Sequence, residues 1–329
     1  MPSVTIVVPC YNEQARIGLL LAAIYRQNYD RSAIEVVIAD GMSTDNTRVR
    51  IAEFQHAHPD ITIKIVDNPQ RTIPSGLNTT LKAAGGDYIV RLDAHCEPYP
   101  DYLMRCISLL TAGQAENVGG ILEIQPGSTG WVARAIAHAA AHPLGVGDAF
   151  YRLGSTSKAV DTVPFGSFKR ELFNRIGLYN ESLLTNEDYE LNARIRKAGG
   201  KVWLDPTIRS RYYARSTIPE LARQYWRYGF WKGRMIRLHP KTTRWRQLLP
   251  PAFLLSLLTL LCLSIWFPVA FWLFWLVTMT YISVLVIAGI LHAFRKRDYA
   301  LMIGLPLAIS VMHIAWGTAF LWNFLSRSK

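Results

Sequence analysis

Three short acidic stretches stand where an apolar run gives way to polar residues, and each holds residue types that bind a cation or move a proton. The first is Asp40-Gly41-Met42-Ser43-Thr44-Asp45, directly after the apolar run Glu35–Ala39. Taken alone it is equally a turn leading into a capped helix, since Asp, Ser and Thr all cap helix N-termini. The second is Arg91-Leu92-Asp93-Ala94-His95, closing the run Tyr88–Leu92. If the extended chain continues, its two-residue period puts Arg91, Asp93 and His95 on one face. There a carboxylate and an imidazole can both reach one divalent ion. The third is Thr185-Asn186-Glu187-Asp188, opening a helical pattern through Leu191, Ile195 and Ala198. A helix N-terminus favours an ionised carboxylate at Asp188, and the adjacent Glu187 opposes it by like-charge repulsion. An ionised carboxylate suits proton abstraction from a hydroxyl. Each stretch alone also has a plain structural reading: a turn, a loop histidine, a solvated first turn.

The elements that must position these residues alternate between strand and helix patterns. Val4–Val8 is a β-branched run ended by Pro9, and Glu13–Gln27 carries Ile17, Leu20, Leu21 and Ile24 at helical spacing. Glu35–Ala39, Ile61–Val66 and Tyr88–Leu92 read as further buried strands, with a helix around Gly76–Ala84. Such alternation predicts an α/β fold, a mostly parallel sheet with helices on both faces. Ligands of such sheets bind at the carboxyl ends of the strands, which directs attention to Pro9–Glu13, Asp40–Asp45 and Asp93–Glu97. Further on come a helix-like stretch Trp131–His142, an acidic helix start at Asn186–Glu190, a strand at Lys201–Leu204 and a long aromatic, basic helix over Ile218–Leu238.

Composition divides the 329-residue chain unevenly. No Asp, Glu, Lys or Arg occurs between Gln247 and Phe294, nor between Tyr299 and Ser326. A bilayer span needs about 20 apolar residues, so the first stretch is long enough for two spans, turning at Trp266-Phe267-Pro268. The second stretch spans, tilts or lies partly in the interface. The expected organisation is therefore a catalytic-looking domain over 1–246 with an interfacial helix near 218–238, and a membrane region of two or three helices over 247–329. A chain ending after Arg246 should on this reading keep its α/β fold. Lys232, Arg234, Arg237, Lys241, Arg244 and Arg246 lead into the first span, and Arg295-Lys296-Arg297 follow the second. Positive charge stays inside, which predicts a multi-pass protein of the inner membrane with its main domain in the cytoplasm. Arg327 and Lys329 would fall outside if the third segment crosses, a mild conflict. Basic residues beside a membrane also attract anionic lipid, so the net charge of +12 needs no nucleic-acid partner. The four cysteines, Cys10, Cys96, Cys106 and Cys262, lack CxxC spacing and read as free thiols. A strand begins at Val4 with no basic-then-apolar leader, so targeting is expected to come from the C-terminal helices.

Taken in order, the pieces resemble the family 2 glycosyltransferases with the GT-A fold, and more narrowly the bacterial exopolysaccharide enzymes of the succinoglycan type. The resemblance rests on Val8-Pro9-Cys10-Tyr11-Asn12-Glu13, Asp40-Gly41-Met42-Ser43-Thr44-Asp45, Asn78, Arg91-Leu92-Asp93-Ala94-His95, Asn186-Glu187-Asp188 and Gln224-Tyr225-Trp226-Arg227-Tyr228. It covers roughly residues 4–240; each motif is weak and the ordered set is specific. It implies that Pro9, Tyr11, Glu13 and Asp40 line a nucleobase and ribose pocket. Asp93 would meet nucleotide and metal, with His95 at the second acidic position of the family's DxD. Asp188 resembles the catalytic base, with Glu187 beside it in the catalytic pair. Gln224, Arg227 and Tyr228 match the QxxRW element over the donor diphosphate. Two departures stand out: His95 replaces Asp, and Tyr228 replaces Trp. A histidine ligand shifts preference toward Mn²⁺ without excluding Mg²⁺.

The implied partners are a nucleotide-sugar donor (a UDP-sugar first), a lipid-linked polyprenyl-diphosphate saccharide as acceptor, and the membrane itself. The implied reaction is a single inverting displacement. A transferase acting on polyprenyl monophosphate shares the domain and the anchor and stands as the alternative. A catalytically inactive scaffold or binding protein is the alternative of another class, opposed by the joint presence of Asp40, Asp93 and Asp188. A dinucleotide-dependent dehydrogenase would need G-x-G-x-x-G after the first strand, and Pro9–Glu13 contains no glycine. A processive synthase would need more spans to form a channel.

Overall fold

The computed structural model describes residues 1–154, 156–240 and 243–326. Lys241, Arg327 and Lys329, invoked above for orientation, lie outside the described residues. The chain forms two compact units, the first made of Met1–Glu123 and Phe150–Tyr212, the second of Ile124–Ala149 and Tyr213–Lys329.

The first unit is built on a sheet of nine strands among the described residues: β1 Val4–Cys10, β2 Ile34–Asp40, β3 Thr62–Asp67, β4 Tyr88–Arg91, β5 Cys96–Pro98, β6 Asn117–Gln125, β7 Lys158–Ala159, β8 Ser167–Lys169 and β9 Val202–Tyr213. Their order is β3-β2-β1-β4-β8-β6-β9-β5, with β7 beside β9. β1 pairs in parallel with β2 and β4, and β2 with β3, in the register Val8 opposite Ile38 and Cys10 opposite Asp40. β4 then meets β8 antiparallel, and β6–β8, β5–β9 and β7–β9 are antiparallel too. The α/β class stands as expected. Its parallel character is confined to the N-terminal half, where helices return the chain between strands, and the sheet as a whole is mixed. The strand expected at Lys201–Leu204 runs on to Tyr213 because it holds β5 and β7 along its length.

β1 lies between β2 and β4, so the strand order reverses beside it, and the crevice outside the carboxyl ends opens there. The helix Ile73–Ala83 crosses close over β1 and β2. Thr72 caps it, its hydroxyl accepting from the Ser75 N–H at 3.3 Å. Gly76 lets it in, since a Cβ there would sit 2.9 Å from Asn68 Nδ2 and 3.3 Å from Ala39 Cβ.

The second unit is helical. Helices Trp245–Leu263 and Pro268–Lys296 are joined across Ser264–Phe267, with Pro268 in the first helical turn where its missing N–H costs nothing. Leu301–Leu325 is a third helix long and apolar enough to cross a membrane. Helix Ile218–Leu238, capped by a reciprocal Thr217–Glu220 box, packs along it. Gly229 makes this possible, for a Cβ there would run into the Trp316 backbone. The line drawn at residue 246 therefore marks where charge disappears, while the compact units divide elsewhere. Leu221, Tyr225, Gly229 and Met235 of Ile218–Leu238 are buried, and Leu221 and Tyr225 share an apolar cluster with Leu305, Ile309 and Met312. A chain ending after Arg246 loses the helix Leu301–Leu325 that packs on these residues and leaves their apolar face uncovered.

Candidate active site

The acidic stretches of the first unit are brought to the carboxyl ends of β1, β2 and β4, and helix Glu187–Lys197 joins them there. The carboxyl end of β1 bends at once, Asn12 taking φ +53°. Its N–H donates to Ser43 Oγ at 2.9 Å, and its Oδ1 accepts from the Thr44 N–H at 2.9 Å. The Glu13 N–H donates to Thr47 Oγ1 at 2.8 Å. The loops after β1 and β2 are thus tied into one wall. Asp40 is fully buried within it. Its carboxylate accepts from Ser43 Oγ at 2.5 Å, the Ser43 N–H at 3.1 Å and Arg48 Nε at 2.6 Å. Asp40 therefore acts inside the wall, holding it to Arg48. Tyr11 is exposed on the wall, with the Arg71 guanidinium 5.8 Å from its ring centroid. Pro9 is half-buried at the strand end.

β4 ends at Arg91, and Asp93–His95 form a turn closed by the Cys96 N–H on the Asp93 carbonyl at 3.1 Å. The extended chain does not continue, so the two-residue alternation is not what groups Arg91, Asp93 and His95. Side-chain pairing groups Arg91 and Asp93 with Glu187, and His95 with Glu13. One guanidinium nitrogen of the buried Arg91 reaches Glu187 Oε1 at 2.8 Å and Asp93 Oδ1 at 3.3 Å. The ion pair fastens the start of helix Glu187–Lys197 to the end of β4. His95 turns its Nδ1 to Glu13 Oε1 at 3.1 Å and its ring toward Tyr212, the centroids 5.3 Å apart.

Helix Glu187–Lys197 starts from Asn186, in the left-handed region at φ +70°. Asn192 is bonded to Asn117 at 2.6 Å and to Thr162 Oγ1 at 3.0 Å. Arg194 holds Glu190 and donates to the carbonyls of Ile176, Gly177 and Leu178. Asn78 supports the preceding loop, donating to the Tyr179 carbonyl at 2.9 Å and accepting its N–H at 2.9 Å. Asp188 is half-buried, and its Oδ1 accepts from the Tyr189 N–H at 2.7 Å. It borders a narrow crevice with Asn117, Phe168, Tyr179 and Asn192. Burial raises the Glu187 carboxyl to about 7; Arg91 opposes the rise and the charge of Asp188 adds to it.

Gln224, Arg227 and Tyr228 lie in the second unit on helix Ile218–Leu238, where Gln224 Nε2 donates to the Tyr228 hydroxyl at 2.9 Å. The sequence offered no sign of Arg48, Asn117, Asn192 or Arg194 as positioning residues. Asn117 and Asn192 find their partners thirty residues or more away, whereas Arg48 reaches Asp40 eight residues off and Arg194 reaches Glu190 four residues off, a helical spacing that was a local signal.

Residues 5–177 match the family described as Glycosyl transferase family 2. The chain belongs to that family. It is 31% identical over 327 residues to the succinoglycan biosynthesis protein ExoA of Rhizobium meliloti (strain 1021), covering 97% of this chain and 94% of the relative. It is 29% identical over 320 residues to a dolichyl N-acetyl-alpha-D-glucosaminyl phosphate 3-beta-D-2,3-diacetamido-2,3-dideoxy-beta-D-glucuronosyltransferase of Methanococcus voltae, covering 95% and 94%. Among solved structures, a mannosyltransferase of Pyrobaculum calidifontis with GDP-Man and Mn²⁺ superposes with a TM-score of 0.65 at 22% identity, over 99% of this chain and 88% of that one. The fold is accordingly GT-A, and the chain is a glycosyltransferase of a family whose members invert configuration. The family match ends at residue 177, before Glu187, Asp188 and helix Ile218–Leu238, so the parts given to those residues are proposals.

The residues of the transferase also fit a divalent ion. Among the described residues no cluster of three or more His, Cys, Asp and Glu side chains forms a closed metal cage. Mn²⁺ and Mg²⁺ in nucleotide sites take only one or two protein ligands and complete their shell from phosphate and water. The Asp93–His95 turn carries one carboxylate and one imidazole, a number of ligands that suits such a site. With Nδ1 of His95 facing a carboxylate, Nε2 is the nitrogen left to ligate, an arrangement that fixes tautomer and ring orientation.

Proposed function

We propose that this transferase moves a sugar from a nucleoside-diphosphate donor, a UDP-sugar first, to a polyprenyl-phosphate- or diphosphate-linked saccharide, with inversion, at the cytoplasmic face of the inner membrane. The observation that carries the reading is the Arg91 bridge. It binds Glu187, and with it the helix turn bearing Asp188, to the strand end that carries Asp93 and His95. A proton acceptor and a diphosphate-binding pair are thereby held to one frame. The names of the R. meliloti and M. voltae relatives, which point to polysaccharide and dolichyl phosphate substrates, support the acceptor class.

In the proposed reaction Asp188 removes the proton of the acceptor hydroxyl as that oxygen attacks the anomeric carbon. The diphosphate leaves from the opposite face, as single displacement requires. Asp93 and His95 would hold a divalent ion, which supplies a Lewis acid for the leaving diphosphate. Tyr11, with Arg71 over its ring, offers a platform for the nucleobase. Glu187 sets the field around Asp188: protonated it is neutral, and ionised it adds a negative charge that makes the neighbour more basic.

Membranes carrying the protein, supplied with a panel of UDP- and GDP-sugars, should transfer from one of them to an added lipid-linked saccharide and invert the anomeric centre. Transfer to bare polyprenyl monophosphate instead would establish the monophosphate reading, and retention of configuration would overturn the mechanism. Replacing His95→Ala should raise the Mn²⁺ concentration needed for half-maximal rate, and His95→Asp should move preference toward Mg²⁺. An unchanged metal titration in both variants would reduce His95 to a loop residue. Turnover should rise with pH through about 7 as Glu187 ionises. That limb should vanish in Glu187→Gln, and its persistence there would assign it to another group.

A further inference from the structure

Three imidazoles meet inside the second unit. His138 stands in the last turn of helix Trp131–Ala140, His142 just beyond that helix, and His292 in the last two turns of Pro268–Lys296. Helices Pro268–Lys296 and Leu301–Leu325 pack antiparallel. Ala293 meets Leu301, and a Cβ at Gly289 would stand 2.8 Å from Pro306 and 2.9 Å from the Met302 carbonyl. Trp131–Ala140 lies against their joined ends, with Ala135 in contact with Ala293 and Leu301. Pro268–Lys296 has 29 residues, a length of about 43 Å, and the hydrocarbon core is about 30 Å thick. Part of the helix therefore stands in the headgroup layer. Its first turn is uncharged and its last carries Arg295 and Lys296, so the histidine end is the one that emerges.

His292 Nε2 lies 3.1 Å from His138 Nδ1, and the His142 and His292 ring centroids are 5.5 Å apart. In the His138–His292 pair one ring donates, and the accepting ring keeps its own proton on its second nitrogen. His142 Nδ1 accepts from the Leu144 N–H at 3.2 Å, which leaves the proton of that ring on Nε2. The half-buried cluster thus holds two N–H donors without a partner among the described residues. It is not built as a metal cage, since His142 spends Nδ1 on the backbone and the other rings bond each other, and no three-ligand group occurs among the described residues. The charge around it is positive. Burial, and after it Lys296, lowers the pKa of His138, and burial followed by Arg295 lowers that of His142. The carboxylate facing His138, Asp298, is engaged by Arg134 at 2.7 Å. Free N–H donors beside cations in the headgroup layer suit a phosphate ester. An apolar track adjoins them. Exposed Val284, Leu291 and Arg295, seven and four residues apart, fall on the flank of the helix next to His292.

We propose that His138, His142 and His292 form a binding site for the phosphate group of a membrane lipid, whose chain runs down the Val284–Leu291 flank with Arg295 at its charged end. The phosphate is that of the polyprenyl carrier of the acceptor or of a bilayer phospholipid, two sources of the same anionic oxygens at the same depth. The inference rests on the membrane orientation and the acceptor class given under Proposed function.

The test titrates full-length protein, in maltoside micelles that carry no phosphate, with tritiated undecaprenyl phosphate, phosphatidylglycerol or undecaprenol. The variant is His138→Asn with His142→Asn, in which the amide stands in for each Nδ1 and both Nε2 positions are lost. At least one phosphate lipid should bind, with undecaprenol and the double variant each at least tenfold weaker and UDP binding unchanged. Tighter binding of undecaprenyl phosphate names the carrier as the ligand, and tighter binding of phosphatidylglycerol names the bilayer lipid. Undecaprenol binding as tightly as its phosphate overturns the site, and so does a double variant that binds like wild type. Loss of wild-type lipid binding in EDTA means that a metal holds the phosphate, which also overturns it. If the double variant melts below wild type, Arg295→Gln at its exposed position serves instead: a severalfold loss of affinity is expected, and none overturns the site. Transfer assays on the same preparations keep the two readings apart. Transfer to a lipid-linked saccharide without histidine-dependent lipid binding defeats the site alone. Transfer to soluble acceptors only defeats the acceptor reading, and histidine-dependent phosphatidylglycerol binding then still upholds the site.

Discussion

Asp188→Asn should lower sugar transfer by about 10²–10⁴-fold, the usual cost of losing a general base, while donor binding stays within a few-fold of wild type. The amide is isosteric, and its oxygen can still accept from the Tyr189 N–H that Asp188 Oδ1 holds at 2.7 Å. The helix start therefore keeps its shape, and the loss falls on proton removal. Asp188 is half-buried beside Asn117 and Tyr179, with Glu187 as its neighbouring carboxylate. Glu187 is committed to Arg91 at 2.8 Å. Calorimetric titration with the donor and a single-turnover transfer assay separate the two quantities. Turnover near the wild-type rate would remove Asp188 from the role of base.

Arg91→Leu should produce the largest loss of stability, about 3–5 kcal/mol at pH 8, because it leaves Glu187 charged and buried without its counter-ion. The pH dependence is the sharper part of the expectation. Burial raises the Glu187 carboxyl from 4.5 to about 7, and Arg91 is the cause that holds it down. A carboxyl whose folded pKa is raised favours the folded state while protonated, below its unfolded value. That contribution fades as the pH climbs through about 7. Removing Arg91 penalises only the ionised form, so the gap between variant and wild type should be wide at pH 8 and narrow at pH 5. Thermal unfolding in detergent across that range measures it. A gap independent of pH would show that Arg91 stabilises by packing alone. Glu187→Gln in the same background should recover much of the loss at pH 8, since it removes the stranded charge.

Much of the first unit was legible because its signals are local. The β-branched run Val4–Val8 needs only neighbouring strands to become β1. Likewise Thr217 and Glu220 cap helix Ile218–Leu238 through atoms three residues apart, and its bounds were readable in the sequence. The turn at Asp93–His95 was not. An extended continuation and a turn use the same residues, and only the Cys96 N–H on the Asp93 carbonyl settles which forms. Asp40 shows the same limit. Its neighbours could not be read from the sequence, and only the structure brings Arg48 and Ser43 onto its oxygens.

The sequence by itself determined the family pieces in their order, the α/β class, and the two uncharged stretches, since hydropathy and strand patterns are properties of contiguous residues. Only the tertiary structure decided that the parallel sheet turns antiparallel after β4, because β8 and β9 find their partners across more than fifty residues. It alone joined Glu187 to Asp93 through Arg91 over a separation of 96 residues. It alone placed a charged helix along the third apolar one. Hydropathy counts what a segment is made of. The depth at which a segment rests depends on the charges of the neighbours packed against it, and those neighbours are chosen by the fold.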